Sequence, residues 1–196
     1  MEGFARQGSG EPPVMNALTT MVRLIDKLNE IIGRGIAWLT LAMVLIGFVV
    51  VMLRYVFSIG FVWMQESYVW LHGMTFMLAA GYTLLHDGHV RVDIFYRTAS
   101  IRNKAWVDLF GSLVLVLPVL VLVWLQALPY VLDSWTRLEG SREAGGLPGL
   151  FLLKSVILVF CVTMGLQALS MAGRSVLILG GRVDSAATEA GSGESR

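Results

Sequence analysis

Four long stretches of the chain are almost free of charged residues, and they constrain the fold more than any other feature. A helix needs about 20 apolar residues to cross a hydrocarbon layer about 30 Å thick. Mean hydropathy is +0.69, and only 15% of residues are charged, against about a quarter in soluble domains. The sequence therefore predicts an all-α, polytopic membrane protein with four transmembrane helices in a membrane domain of residues 35–180. The stretches are residues 36–53, 67–85, 107–128 and 150–171.

Basic residues are distributed unequally among the segments that flank these stretches. One set lies before the first stretch, between the second and third, and after the fourth: Arg6, Arg23, Lys27, Arg34, Arg91, Arg97, Arg102, Lys104, Arg174, Arg182 and Arg196. The other two connections contain only Arg54, Arg137 and Arg142. Cytoplasmic loops of membrane proteins are enriched in Lys and Arg. We therefore predict that both termini and the middle loop face the cytoplasm.

The first and last segments differ from the membrane domain. Residues 1–15 and 181–196 are rich in small and polar residues, which predicts disorder. Residues 16–34 predict an amphipathic helix in the headgroup layer, with a turn into the membrane at Gly33 and Gly35. A cytoplasmic extension of the first span is the alternative. The apolar positions at helical spacing are Leu18, Met21, Val22, Ile25, Leu28 and Ile32.

Four residues indicate how the first three spans begin, end or bend. Arg54 closes the first span, where a cation complements the helix dipole and reaches the headgroups. Trp63 is typical of a membrane interface. We expect Glu66 at a helix N-terminus, where free backbone N–H groups favour a carboxylate. Pro118 removes a backbone hydrogen bond and should kink the third span.

The polar segment HDGHVRVDIFY, residues 86–96, follows the second span directly. Gly88 is a natural helix C-cap. Beyond it, apolar and charged residues alternate, which predicts a segment lying on the cytoplasmic membrane surface. His89 and Asp93 are then available to hold a partner protein or the loop itself.

The three histidines are the candidates for metal or cofactor binding. His86 and His89 have a spacing that zinc sites use, but Gly88 interrupts the helix and no third ligand is placed, so we predict no metal. His72 lies inside a span, and haem held by two histidines needs a second one at similar depth. We interpret His72 as hydrogen-bonded to a neighbouring helix. A haem- or quinone-binding membrane anchor of a respiratory enzyme is the alternative function.

No pattern in the chain indicates catalysis. It contains no GxSxG, GxGxxG or P-loop sequence, and its net charge of +1 is not concentrated in a basic patch, so no nucleic-acid partner is predicted. Cys161, with Gly165, suits helix packing. Lys154 either reaches outward or pairs with Glu139 or Glu143. We predict a protein without enzymatic activity or cofactor, whose spans are too apolar to form a transport pathway alone.

Four segments of the chain are informative together: RYVF at 54–57, WMQES at 63–67, HDGHVRVD at 86–93 and LEGSREAGGLPG at 138–149. In this order they resemble the small membrane subunit of tripartite ATP-independent periplasmic (TRAP) transporters. The similarity extends from Asp26 to Arg174. QESYVWLHG followed by LLHDGHVRVDIFYR is similar to the branch labelled mannitol/chloroaromatic compound. A self-associating four-helix membrane protein is a further alternative.

The resemblance implies a three-protein system in a bacterial inner membrane. A periplasmic substrate-binding protein delivers an organic acid to a large membrane permease subunit, which imports the acid with sodium. The small subunit is then a non-catalytic scaffold that packs against the large subunit and membrane lipids. The resemblance marks as structural or subunit-contact positions Arg54, Trp63, Glu66, His89 and Asp93. We add His72 and Lys154 as further candidates.

Overall fold

The computed structural model describes residues 13–90, 96 and 98–181, and all regular secondary structure in this part of the chain is helical. We call the end with the α1–α2 and α5–α6 connections the loop end, and the opposite end the termini end. Predictions for residues 1–12, Asp93 and residues 182–196 lie outside the described residues. The elements are α1 (Pro13–Val56), α2 (Val62–Leu78), α3 (Ala80–Leu85), α4 (Ile101–Phe110), a π-helical segment (Gly111–Val116), α5 (Leu117–Thr136) and α6 (Leu150–Leu179).

Three helical stretches are long and apolar enough to cross a membrane: Met15–Val56, Ile101–Thr136 and Leu150–Leu179. The expected second span is divided into α2 and α3 at Ala79. Backbone hydrogen bonding nevertheless continues across the division, because the Ala79 N–H donates to the Thr75 carbonyl at 3.0 Å and the Ala79 carbonyl accepts from Thr83 at 2.8 Å.

The first helix differs from the expected pair of helices. α1 runs without a turn through Gly33 and Gly35 for 44 residues, as an extension of the first span would. It also includes Pro13 to Met15, which we expected to be disordered. Gly33 serves close packing instead of a turn, since a Cβ atom there would lie 2.1 Å from Cδ2 of Tyr82.

The first half of α1 packs along the last half of α6. Val22 and Ile25, on its apolar face, are buried. Gly173 permits this approach, because a Cβ atom at that position would lie 3.0 Å from Cγ2 of Val22 and 3.2 Å from Cδ1 of Leu18. The apolar positions that we assigned to the headgroup layer therefore pack in part against the chain's own last helix.

The last helix is central to the bundle, since α6 contacts every other helix. Small residues line its buried side: Ala168 is fully buried, and Cys161 and Ala172 are each 6% exposed. At Gly165 a Cβ atom would lie 3.8 Å from Cδ1 of Leu120 in α5. The predicted packing role of the Cys161 and Gly165 pair is confirmed.

The third predicted span contains a π-helical segment directly before Pro118, the residue at which we predicted a kink. Gly111–Val116 has the wider hydrogen-bond pattern, and Pro118 follows in the first turn of α5. A proline ring clashes with the carbonyl of the preceding helical turn, and a π-helical turn is a known way to relieve such a clash. α5 continues past the predicted end at residue 128 and contains a second proline, Pro129.

Candidate functional site

Glu66 holds the long connection between α5 and α6. α2 begins at Val62, so Glu66 lies beyond the first turn and not at the helix N-terminus as expected. Its carboxylate accepts a hydrogen bond from the Ser141 hydroxyl and another, at 2.6 Å, from the Leu147 backbone N–H. Glu66 belongs to α2, so these two hydrogen bonds hold the loop against that helix.

The glycine-rich end of this connection is shaped around that carboxylate. A Cβ atom at Gly146 would lie 2.4 Å from the Ser141 hydroxyl oxygen and 2.7 Å from Oε2 of Glu66. The loop closes on itself through a hydrogen bond from the Ser141 N–H to the Leu147 carbonyl at 2.9 Å. The sequence LEGSREAGGLPG therefore forms a closed loop in which Gly146 gives room to the Glu66 side chain.

A second carboxylate at the loop end binds Lys154, the charged residue of the fourth predicted span. Lys154 donates to Glu139, and its ammonium lies 3.9 Å from the centre of the Tyr130 ring. The Ser134 hydroxyl donates to the same carboxylate at 2.7 Å. Lys154 and Ser134 hold the pKa of the Glu139 carboxyl below its usual range. Of the predicted alternatives for Lys154, the one found in the structure is the pair with Glu139.

The termini end contains a polar cluster that the sequence analysis missed. Asp26 of α1 accepts hydrogen bonds from three residues of α6: Gln167 at 3.0 Å, Ser170 at 2.7 Å and Arg174 at 2.5 Å. Asn29 donates to Gln167 at 2.8 Å. Asn29 and Ser170 are fully buried, and Gln167 is 2% exposed. We call these five residues the α1–α6 cluster.

The spacing of the cluster residues was a usable signal. Gln167, Ser170 and Arg174 are three and four residues apart, so they share one face of a helix. Asp26 and Asn29 do the same on α1. Polar residues that recur on one face of a long apolar helix indicate a polar contact between helices, although the spacing does not say which helix supplies the partner.

Asn29 also brings α3 into this contact. Its Oδ1 atom is buried and accepts no hydrogen bond from the described residues. A Cβ atom at Gly81 would lie 2.4 Å from that oxygen and 3.2 Å from the Thr163 carbonyl oxygen of α6. Only a glycine at position 81 lets α1, α3 and α6 meet at one point.

His86 is a structural residue at the end of α3. Its Nε2 atom lies 2.7 Å from Oε2 of Glu30 in α1, and its ring lies 4.3 Å from that of Tyr82. The helix ends with Asp87 in the left-handed conformation, φ +56°, instead of at Gly88 as expected. The Gly88 N–H donates to the Thr83 carbonyl at 2.8 Å, which closes the helix end.

Four other candidate residues point away from the bundle. Arg54, Trp63, His72 and His89 are all exposed. His72 has no hydrogen-bond partner within the described part of the chain, so the expected bond to a neighbouring helix is absent there. No group of three His, Cys, Asp or Glu side chains suited to a metal ion occurs among the described residues.

The comparisons with known proteins place the chain in a transporter family. A family model described as "Tripartite ATP-independent periplasmic transporters, DctQ component" matches residues 43–177, about two thirds of the 196 residues. Searches of curated proteins and of solved structures find no match. The matched range includes the complete loop-end arrangement and the α6 half of the α1–α6 cluster. The chain therefore belongs to the DctQ family, the DctQ component of tripartite ATP-independent periplasmic transporters.

Proposed function

We propose that this chain is the scaffold subunit of a sodium-coupled importer of organic acids in a bacterial inner membrane. Its partners are a large permease subunit, which carries the transport pathway, and a periplasmic binding protein, which delivers the substrate. The observation that carries the proposal is the match of residues 43–177 to the DctQ component. Assignment to the mannitol/chloroaromatic branch rests on sequence resemblance alone, and the substrate itself stays open.

The use of polar groups inside the bundle supports a scaffold role. Within the described residues at the loop end, Glu66 accepts hydrogen bonds from Ser141 and Leu147. Glu139 forms an ion pair with Lys154. At the termini end, Asp26 is bound by three α6 side chains. These groups join helices and a loop to each other, so they are already occupied and do not line a conduit for a solute.

The proposed topology has four spans with both termini in the cytoplasm. α2 and α3 together cover residues 62–85, which at 1.5 Å per residue is about 36 Å, long enough to cross the hydrocarbon layer. With this segment as a fourth span, the loop end faces the periplasm and the α1–α6 cluster faces the cytoplasm. The distribution of basic residues supports the same orientation.

The alternative of a haem- or quinone-binding anchor is not favoured. The family match indicates a transporter component. His86 is engaged by Glu30, and His89 follows the end of α3 at the termini end, whereas His72 lies within α2. The three histidines therefore do not supply a second ligand at the depth of His72.

The proposal is tested by expressing the chain with and without the large permease subunit and the binding protein. We expect the chain to copurify with the permease, and sodium-driven uptake in proteoliposomes to require all three proteins. Arg54→Ala, His72→Ala and His89→Ala test the exposed candidate contacts by recovery of the permease, with Lys27→Ala as the exposed control. Uptake by this chain alone, or uptake by the permease at full rate without it, would contradict the scaffold role.

A further inference from the structure

One face of α1 is exposed over about five helical turns. Its residues recur at alternating spacings of three and four, which bring side chains to the same side of a helix. Trp38 is 72% exposed and Leu41 is 48% exposed, and the Arg34 side chain is 78% exposed. We call this face the α1 strip. Its members, all exposed, are Lys27, Ile31, Arg34, Trp38, Leu41 and Leu45.

Two arginines indicate where α1 crosses the surfaces of the membrane. Residues 35–53 contain no charged residue, and Arg34 and Arg54 lie at the two ends of this segment. In one continuous helix the rise from Arg34 to Arg54 is about 30 Å, which equals the thickness of the hydrocarbon layer. Arg34 therefore lies at the headgroup boundary of the termini end. Trp38 lies about one turn inside this boundary, and Lys27 about two turns outside it.

The order of side chains along the α1 strip matches the layers of a phospholipid leaflet. Lys27 and Arg34 lie at the level of the headgroups, where cations are attracted to anionic lipids. Trp38 follows at the interface, the preferred depth of tryptophan. Leu41 and Leu45 continue at the level of the acyl chains. One phospholipid molecule presents the complementary groups in the same order, from its phosphate through its glycerol esters to its acyl chains.

Hydrogen-bond donors are available at the headgroup level. Arg34 donates through Nε to Glu30 of the same helix at 2.8 Å, and its two terminal amino groups have no partner among the described residues. Lys27 forms no ion pair within the described part of the chain. Glu30 is directed toward α3, since its other oxygen lies 2.7 Å from Nε2 of His86. An ammonium, the free edge of a guanidinium and the Trp38 indole are therefore available to one anionic group.

We propose that the α1 strip binds an anionic phospholipid, with the phosphate between Lys27 and Arg34 and the acyl chains along Leu41 and Leu45. The lipid belongs to the leaflet at the termini end, which is the cytoplasmic leaflet in the proposed topology. The headgroup part of the strip precedes residue 43, where the match to the DctQ component begins. This site requires only that α1 crosses a membrane, so it is independent of the proposed function.

Quenching of Trp38 fluorescence tests the site. The full chain is reconstituted in phosphatidylcholine vesicles, to which brominated phosphatidylglycerol or brominated phosphatidylcholine is added in increasing fractions. The signal of Trp38 is the difference between the unaltered chain and Trp38→Phe, because the chain has six tryptophans. We expect half-maximal quenching at an about 5- to 30-fold lower fraction of the brominated phosphatidylglycerol, the range for one to two basic residues at an anionic surface.

Two double variants separate a defined site from a general attraction of charge. Lys27→Gln with Arg34→Gln removes both cations of the strip and should abolish the preference for phosphatidylglycerol. Arg137→Gln with Arg142→Gln removes the same charge from exposed positions at the loop end and should leave the preference unchanged. Added salt should weaken the preference of the unaltered chain, because exposed charges are screened.

Equal quenching by the two lipids, or a preference that survives the loss of Lys27 and Arg34, would overturn the proposal. Quenching by neither lipid would also overturn it and would indicate that a second copy of the chain covers the strip. Loss of quenching in the assembled complex would assign the strip to the permease instead. Because the strip contacts lipid, we expect Lys27→Ala to leave recovery of the permease unchanged.

Discussion

Both ends of the bundle contain carboxylates that bind side chains or backbone groups of other segments. The segments that they join differ between the two ends. At the loop end, Glu66 and Glu139 hold a single connection, residues 137–149, against the helices around it. At the termini end, Asp26 joins the first helix to the last, which are separated by 141 to 148 positions along the chain. We infer that the contacts at the loop end hold a surface loop in place, whereas the contacts at the termini end determine how the helices pack.

The largest effect should come from Asp26→Ala. The substitution removes the acceptor of three α6 side chains and leaves Gln167 and Ser170 buried without that partner, so we expect a loss of about 2–4 kcal/mol in the free energy of unfolding. Thermal unfolding of the purified protein in detergent measures it. Lys27→Ala, one residue along on an exposed position, should change stability by less than about 0.5 kcal/mol.

Two glycines of α1 provide a matched pair. Gly33→Ala places a Cβ atom 2.1 Å from the Tyr82 ring, whereas Gly35→Ala meets nothing within 4 Å. We expect the first to destabilise the fold by about 1–3 kcal/mol through overpacking and the second to be neutral or stabilising by up to about 1 kcal/mol. Equal melting temperatures for the two variants would show that the α1–α3 contact is not tightly packed.

A smaller and local effect is expected from Glu66→Ala. Without the carboxylate, the Leu147 N–H and the Ser141 hydroxyl lose their acceptor, at a cost of about 1–2 kcal/mol to the loop. The rate of trypsin cleavage after Arg142 should rise, while the melting temperature changes little. Glu143→Ala, in the same exposed loop, is the control. A fall in melting temperature as large as that of Asp26→Ala would remove the distinction between the two ends.

The smallest predicted effect is the dependence of the loop's stability on pH. The pKa of the Glu139 carboxyl is lowered by Lys154, so the pair stabilises the loop above the usual carboxyl pKa of 4.5, and this contribution is lost as pH falls through the lowered value. Hydrogen exchange of residues 137–149, corrected for intrinsic rates, should increase in that acidic range. The same profile in Glu139→Gln would indicate that another group titrates.

The sequence and the structure agree best where a prediction depends on neighbouring residues. Apolar composition predicted the long helices, and the hydrogen-bond pattern of the third predicted span changes just before Pro118. Of the two alternatives for Lys154, an outward orientation or a carboxylate partner, the pair with Glu139 is the one that forms. Several local predictions were wrong, among them that Gly33 and Gly35 form a turn and that Glu66 lies at the N-terminus of α2. In both cases a contact with a residue distant in the sequence determines the role of the predicted residue. Gly33 packs against Tyr82, and Glu66 accepts a hydrogen bond from Leu147.

By itself, the sequence determined that this chain forms long apolar helices with a polar, glycine-rich connection, because hydrophobicity and turn chemistry act over a few neighbouring residues. Only the tertiary structure decided that Asp26 meets Arg174, that Glu66 meets the loop, and that Trp38 is left on the outside. Those contacts depend on how each helix is rotated about its axis and where it crosses the others. Close packing over the whole bundle determines these quantities, and no local pattern contains them.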